Sequence, residues 1–209
     1  MQLMSILLCR IVKGFGNSII FSFPQKSVAC AWMKMDKPKL SNKIRVVSNP
    51  RKLATCPEER LRFYTDYASA VSDTLRMPLF QKFLHWIMKR EKIEKMAITD
   101  IQVRVFPFEK ENGKPLAGRC NIDDGVILIF PKSRGFLRKK LQNHKKEKLR
   151  FYLKSRAMAA LIHELLHIKY ENNESKVRHL TEKYFGIFIR HQNPDVQKVH
   201  AIQKILFTF

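Results

Sequence analysis

The sequence predicts an α+β domain in which a small antiparallel sheet packs against a long, buried helix with further helices beside it. Apolar residues recur every three to four positions from Leu61 to Leu75, alternate with polar residues from Ile101 to Val105, and return to helical spacing after residue 136. The composition is that of a folded protein, since 45% of the 209 residues are hydrophobic. A chain of this length fits one domain of ordinary size.

The first 50 residues are the least regular part of the sequence. They mix short apolar runs with Lys and Pro, as in 33–40, and show no sustained period. We therefore expect a poorly defined N-terminal arm over 1–50 and a single domain over 51–209. No apolar run reaches the roughly 18 to 20 residues of a membrane-spanning helix, so no span is expected.

Two helices are predicted ahead of the sheet. The first opens at Pro57-Glu58-Glu59, where proline suits the first helical position and acidic side chains favour the N-terminal end of the helix dipole. The second runs from Pro78 to Lys92. Its inward face is expected to consist of Phe80, Phe83, Leu84, Ile87 and Met88.

Three strands are predicted in the middle of the chain. The alternation that ends at Val105 gives the first strand, and the other two span 116–121 and 126–130. Asp123-Asp124-Gly125 between the last two is typical of a hairpin turn. We therefore expect these strands to form a small antiparallel sheet.

Helical spacing returns near residue 136 or 144 and continues to residue 168. The pair of asparagines at 172–173 is expected to end this helix. A further helix is predicted over 174–190, and a last one follows Asn193-Pro194.

The motif His163-Glu164-Leu165-Leu166-His167 has the pattern H-E-x-x-H and falls inside a predicted helix. Residues i and i+4 project from one helix face, which places two imidazoles within reach of one metal ion. Glu164 lies on an adjacent edge of that face, where it can take a proton from water activated by the metal. The alternative is an ordinary buried helix whose two histidines bond to backbone groups or carboxylates.

A catalytic zinc ion normally has three protein ligands and one open position, so a third ligand is needed. Glu174 is the first choice, because the turn at 172–173 lets the chain double back. His179 and Glu171 are the next candidates, and Glu182 lies further out. A glutamate at a helix start also has a purely structural explanation, because it favours the helix dipole.

The segment 163–177, HELLHIKYENNESKV, resembles the active-site stretch of small intracellular zinc metallopeptidases of the SprT-like and WLM kinds, and of compact gluzincin-like relatives. The resemblance covers about 30 residues, over 157–185. In SprT-like and WLM proteins the third ligand after the turn is a histidine, whereas this sequence has Asn173 and Glu174 there. That difference favours a glutamate ligand of the gluzincin type.

The resemblance implies a zincin-like metallopeptidase domain that hydrolyses peptide bonds. Zn²⁺ would be held by His163, His167 and Glu174, with Glu164 as the general base. In such proteins the edge strand of a sheet binds an extended protein or peptide substrate by strand addition, and the candidate strand lies within 118–130. A plain hairpin that supports the core is the alternative for that segment.

Peptide hydrolysis also needs a group that stabilises the oxyanion. Tyr170 and His179 lie close to the motif in sequence and are the candidates.

Forty Lys and Arg against 18 Asp and Glu give the chain a net charge of +22, and the segment 132–156 contains eleven basic residues and one acidic residue. A positive field of this strength attracts phosphate backbones. It predicts non-specific DNA or RNA binding through this segment, where Phe136, Phe151 and Tyr152 could stack on bases. A solvated basic helix face would have the same pattern. The alternative function is a basic nucleic-acid-binding protein whose metal site is structural or vestigial, and the family resemblance also implies a peptidase that acts near nucleic acid.

The cysteines favour a cytoplasmic location. Cys9, Cys30, Cys56 and Cys120 lie far apart with no C-x-x-C pair, so the sequence indicates neither a cysteine zinc site nor a disulfide framework. A reducing compartment fits this pattern best.

Overall fold

The computed structural model describes residues 39–192, apart from 109, 111, 112, 114 and 142–145. Most of the predicted N-terminal arm and the helix predicted after Asn193-Pro194 therefore lie outside the described residues. Within these ranges the chain combines helices with one four-stranded sheet, which confirms the α+β fold class. No helix in this part of the chain is long and apolar enough to cross a membrane.

Six α-helices and four strands lie within the described ranges. The helices are α1 (Pro50–Thr55), α2 (Glu58–Arg76), α3 (Pro78–Glu91), α4 (Arg134–Leu141), α5 (Lys146–Tyr170) and α6 (Glu174–Gln192). The strands are β1 (Ile44–Val47), β2 (Asp100–Arg104), β3 (Gly118–Asn121) and β4 (Val126–Ile129). Short 3-10 turns lie at Lys39–Lys43 and Lys95–Ala97.

The helix boundaries follow local sequence signals. Glu58 and Glu59 occupy the first turn of α2, and α3 begins at Pro78, as predicted. The chain leaves α3 through Lys92, whose left-handed conformation (φ 55°) lets its backbone N–H bond to carbonyl groups of the last turn. Glu171, at φ 45°, follows the end of α5 in the same conformation. Both helices therefore end in a sharp reversal of the backbone.

The sheet has the strand order β1-β2-β4-β3. β3 and β4 pair antiparallel, as the predicted hairpin requires, but β1 with β2 and β2 with β4 are parallel. The prediction of an antiparallel sheet is therefore wrong for two of the three strand pairs. The helices α1 to α3 form a crossover between β1 and β2, and crossovers join parallel strands. β3 lies at the edge of the sheet, and β4 lies between β3 and β2. Because the hairpin reverses the chain, β4 runs antiparallel to β3 and parallel to β2.

β1 lies within the segment 1–50, in which the sequence shows no sustained period. Its residues Ile44–Val47 pair with 101–104 of β2. With four residues and one buried side chain, that of Ile44, the strand is too short to show an alternating pattern. The sheet therefore includes residues that precede residue 51.

The core that carries the site forms where α2 and α5 pack on the sheet. Five sheet residues are each at most 2% exposed: Ile44, Ile101, Val103, Ile127 and Ile129. On α5, every side chain over 157–162 is buried. Burial of each large aliphatic side chain contributes roughly 1.5 to 3 kcal/mol, so this helix is held firmly in position.

The hairpin turn depends on Gly125. Its φ is +63°, and a Cβ at this position would lie 2.3 Å from the carbonyl oxygen of Ala97. The carbonyl oxygen of Gly125 accepts a hydrogen bond of 2.8 Å from the backbone N–H of Thr99. The close approach of these backbones fixes the hairpin next to the start of β2.

Gly125→Ala should destabilise the domain by about 2 kcal/mol or more, because the left-handed conformation costs an alanine about 1 kcal/mol and the clash with Ala97 adds to that cost. Urea unfolding followed by circular dichroism measures the loss. Gly135→Ala in α4 is the control, since a Cβ there meets no atom within 4 Å. An equal loss in both variants would contradict this account of the hairpin.

Candidate metal centre

The two helices of the site bring three predicted ligands together. His163 and His167 lie one turn apart on α5, and Glu174 is the first residue of α6. The Nε2 atoms of the two histidines are 3.1 Å apart. The Oε2 atom of Glu174 lies 3.3 Å from Nε2 of His167 and 3.6 Å from Nε2 of His163. These three atoms face one common point.

The spacing of the three atoms fits a tetrahedral zinc site. Ligand atoms about 2.1 Å from Zn²⁺ are separated by roughly 3.4 Å in tetrahedral geometry. The observed separations of 3.1, 3.3 and 3.6 Å lie around that value. Two imidazoles and one carboxylate are the donor set of a catalytic rather than a structural zinc site, because they leave a fourth coordination position open.

The other candidate ligands fall outside this group. The cluster of His, Cys, Asp and Glu side chains that could hold a metal consists of His163, His167 and Glu174, whose ligand atoms all lie within 4.8 Å of one another. Glu171 and His179 are exposed residues that do not belong to it, and Glu182 does not belong to it either.

A tight turn joins the two helices. After Glu171, the side chain of Asn173 accepts a hydrogen bond of 3.1 Å from the backbone N–H of Lys176 and so caps α6. The helix break predicted at 172–173 is therefore confirmed, and the short connection places Glu174 beside the end of α5.

Hydrogen bonds orient both imidazoles. Nδ1 of His167 contacts the backbone carbonyl oxygen of Glu171, and Nδ1 of His163 lies 3.4 Å from Oγ1 of Thr181. Because Thr181 donates its own hydrogen to the carbonyl oxygen of Val177 at 2.7 Å, it acts as an acceptor toward His163. Both contacts favour a proton on Nδ1, which leaves the Nε2 lone pairs for a metal.

His163 is neutral at physiological pH. Burial lowers its pKa to about 4, although the charge of Glu174 acts in the opposite direction. A histidine must be neutral to bind a metal, so this position does not have to lose a proton first.

Glu164 is buried directly beside the ligands. Its side chain is packed against β3, and a Cβ on Gly118 would lie 2.7 Å from both Cγ and Oε1 of Glu164. The backbone N–H of Cys120 donates a hydrogen bond to its carboxylate. Burial, followed by the charge of Glu174, raises the pKa of Glu164 to about 8. A carboxyl group with a pKa near neutrality can both accept and return a proton.

The thiol of Cys120 stays protonated beside this carboxylate. Burial and the charge of Glu164 raise its pKa to about 12. At neutral pH it is therefore a small apolar neighbour of Glu164 and not a thiolate.

Among the described strands, β3 lies at the edge of the sheet, next to Glu164. The backbone N–H of Phe130 bonds to the carbonyl oxygen of Ala117 at 2.9 Å. In an antiparallel ladder, hydrogen-bonded residue pairs alternate with pairs that are not hydrogen-bonded. The backbone N–H and C=O groups of Gly118 and Cys120 are therefore directed away from β4. The predicted hairpin therefore supplies an edge strand, β3, and this strand lies beside the metal centre.

No protein-family model, no curated protein and no solved structure matches this chain. The resemblance to SprT-like, WLM and gluzincin-like metallopeptidases stays a prediction.

A buried carboxylate anchors the turn between the ligands. Glu91, the last residue of α3, is 8% exposed and accepts hydrogen bonds from the hydroxyls of Tyr170 and Tyr184. Nζ of Lys169 lies 3.5 Å from the same carboxylate. One side chain therefore holds the end of α5 and the middle of α6 together. The hydroxyl of Tyr170, one candidate for stabilising an oxyanion, is bonded to Glu91.

Three contributors to the site were not predicted. Thr181 follows Glu174 by seven positions, which places both on one face of α6, so helical spacing could have identified it. Gly118 and Glu91 reach the site only through tertiary packing, and neither has a local sequence signal.

Purified protein should contain about one zinc ion per chain, measured by plasma mass spectrometry. His163→Ala and Glu174→Gln should each weaken zinc binding by more than about 100-fold, because each removes a ligand. His179→Ala, on the same helix as Glu174, is the matched control and should retain the metal. Retention of zinc by Glu174→Gln would refute the proposed ligand set.

Glu91→Gln should destabilise the domain by about 1 to 3 kcal/mol at neutral pH. The reason is that the buried hydrogen bonds from Tyr170 and Tyr184 would lose their charged acceptor. Burial alone would raise the pKa of Glu91, but the two tyrosine hydroxyls and Lys169 lower it overall. The native state thus favours the ionised form, and this stabilisation is present above a pH of about 4.5 and is lost as the pH falls through the folded-state pKa. Thermal unfolding of both proteins from neutral to acid pH should show the difference shrinking. A difference that grows on acidification would contradict the assignment.

Proposed function

We propose that the chain is a zinc-dependent metallopeptidase in which His163, His167 and Glu174 hold the metal and Glu164 is the general base. The observation that carries this proposal is the buried carboxyl group of Glu164 directly beside a three-ligand cluster of tetrahedral spacing. Bound Zn²⁺ would supply a Lewis acid that lowers the pKa of water and polarises a carbonyl group. The proposed zinc cofactor and the proposed hydrolytic activity both rest on Glu164 lying beside the three ligands.

The electrostatics of Glu164 suit proton transfer. In the metal-free protein burial raises its pKa to about 8, which favours the protonated form near neutral pH. The positive charge of a bound metal ion would favour the ionised form instead. Glu164 would then accept a proton from the attacking water and pass it to the leaving amine. The N–H of Cys120 fixes the carboxylate in position for both steps.

The position of β3 at the edge of the described sheet supports a protein or peptide as the substrate. An extended chain that pairs with the backbone groups of Gly118 and with the carbonyl group of Cys120, whose N–H is bonded to Glu164, would lie along the strand against which Glu164 packs. Backbone pairing of this kind recognises the peptide itself and not a particular side chain, which favours peptide over small-molecule hydrolysis.

The alternative, a basic nucleic-acid-binding protein with a structural or vestigial metal site, is less well supported. Structural zinc sites usually close all four positions with Cys or His, whereas this cluster has two histidines and a carboxylate that is 54% exposed. A site without chemistry would also gain nothing from the burial of Glu164, because burial of a carboxyl group costs free energy even when one backbone N–H bonds to it.

We also propose a cytoplasmic location. Cys56 and Cys120, the cysteines within the described residues, are both free thiols, as expected in a reducing compartment.

Wild-type protein loaded with zinc should cleave an unfolded protein such as fluorescently quenched casein. Glu164→Gln should lower the rate by about 100-fold or more while zinc is retained, since a general base contributes a factor of this order. Gly118→Ala should have a similar effect, because its Cβ would displace Glu164 without touching a ligand.

Gly135→Ala is the matched control for Gly118→Ala and should keep full activity. Activity that survives in Glu164→Gln, or that is absent from the zinc-loaded wild type on any unfolded substrate, would overturn the peptidase proposal.

A further inference from the structure

A cavity of about 210 Å³ lies between the start of α2 and the start of α4. It is lined by Arg60, Tyr64, Ser133, Arg134, Gly135 and Arg138. Three of these six residues carry a guanidinium group. The cavity does not include any residue of the metal centre.

Packing of the two helices preforms the cavity. The hydroxyl of Tyr64, a fully buried residue, accepts a hydrogen bond of 3.1 Å from the backbone N–H of Arg134. Arg60 and Tyr64 lie one turn apart on α2, and the guanidinium carbon of Arg60 is 5.9 Å from the Tyr64 ring. Arg134 and Arg138 are likewise one turn apart on α4. The arginines therefore converge from two fixed helices.

The cavity carries an excess of positive charge. Arg134 forms an ion pair with Glu59, which lowers the pKa of that carboxyl group. Within the residues that the structure describes, Arg60 and Arg138 have no carboxylate within ion-pair distance. Arg138 also contributes to lowering the pKa of Glu59, but one carboxylate against three guanidinium groups leaves two positive charges in excess. The planar forks of the guanidinium groups match the oxygens of a phosphate.

We propose that this cavity binds a phosphate group in the backbone of a nucleic acid. A phosphodiester is the anion that suits it best, because further exposed basic side chains, those of Arg150 and Lys154, lie on α5, the helix that follows α4, and would supply contacts to neighbouring phosphates. The net charge of +22 favours a polyanion over a single small anion.

The surroundings of the cavity favour nucleic acid over a membrane surface. Within the described residues, the large apolar side chains that are exposed belong to Val46, Met96, Ile122 and Phe151. None of them lines the cavity, so no apolar group is placed there to enter a lipid layer. This inference does not depend on the metal or on peptidase activity.

Fluorescence anisotropy with a labelled single-stranded oligonucleotide of about 20 nucleotides, long enough for one binding site, tests the proposal on the full chain. Arg60→Gln combined with Arg138→Gln removes the two arginines of the cavity. Arg62→Gln combined with Lys139→Gln is the matched control, because it removes the same charge from exposed positions of the same two helices. Circular dichroism and thermal unfolding confirm that both double variants are folded.

The cavity variant should bind at least about tenfold more weakly than the control variant at ~0.1 M salt. Its plot of log affinity against log salt should be shallower than that of the wild type by about 0.7, since the cavity binds one phosphate and each phosphate contact with a single strand contributes about 0.7 to the slope. Equal weakening in both variants would overturn the proposal in favour of general surface charge. So would equally tight binding of poly-glutamate, or binding to anionic phospholipid vesicles without binding to the oligonucleotide.

Discussion

α5 is both the central helix of the core and the element that carries the histidine ligands. Its residues over 157–162 are all buried, and the motif begins directly after them at His163. A helix held on several sides cannot rotate or shift without opening the core, because protein interiors are close-packed. The backbone positions of His163, Glu164 and His167 are therefore set by apolar packing one turn away, and the polar contacts of the site only orient their side chains.

The site combines two carboxylates whose surroundings differ, although both are close to the same imidazoles. Glu164 is 6% exposed, and its pKa is raised by burial. Glu174 has a side chain that is 54% exposed and lies 3.5 Å from Arg178. One carboxyl group is thus suited to exchange a proton and the other to bind a cation. This division of roles arises chiefly from the difference in burial, since the two residues are chemically identical.

Local sequence patterns predicted the parts of the fold that depend on local physics. The helix openings at Glu58 and Pro78, the hairpin at Gly125 and the break before Glu174 all lie where the sequence indicates them. Parallel pairing of β1 with β2 was not predicted, because it joins segments about 50 residues apart and leaves no periodic signal. Glu174 was identifiable because a short turn limits how far it can lie from His167. The role of Glu91 was not identifiable, since this residue lies on α3 and acts through tyrosines on α5 and α6.

The absence of a side chain at Gly118 links this position to residue 164. The space that a Cβ would need is already occupied by Cγ and Oε1 of Glu164. Any larger residue at 118 would be compatible only with a shorter or displaced side chain at 164, so the two positions should change together among related chains. Under the proposed function, a relative that keeps H-E-x-x-H but has a bulky residue in place of this glycine should bind a metal without hydrolytic activity. The residue at this position of β3 would then distinguish enzymes from inactive relatives that share the motif.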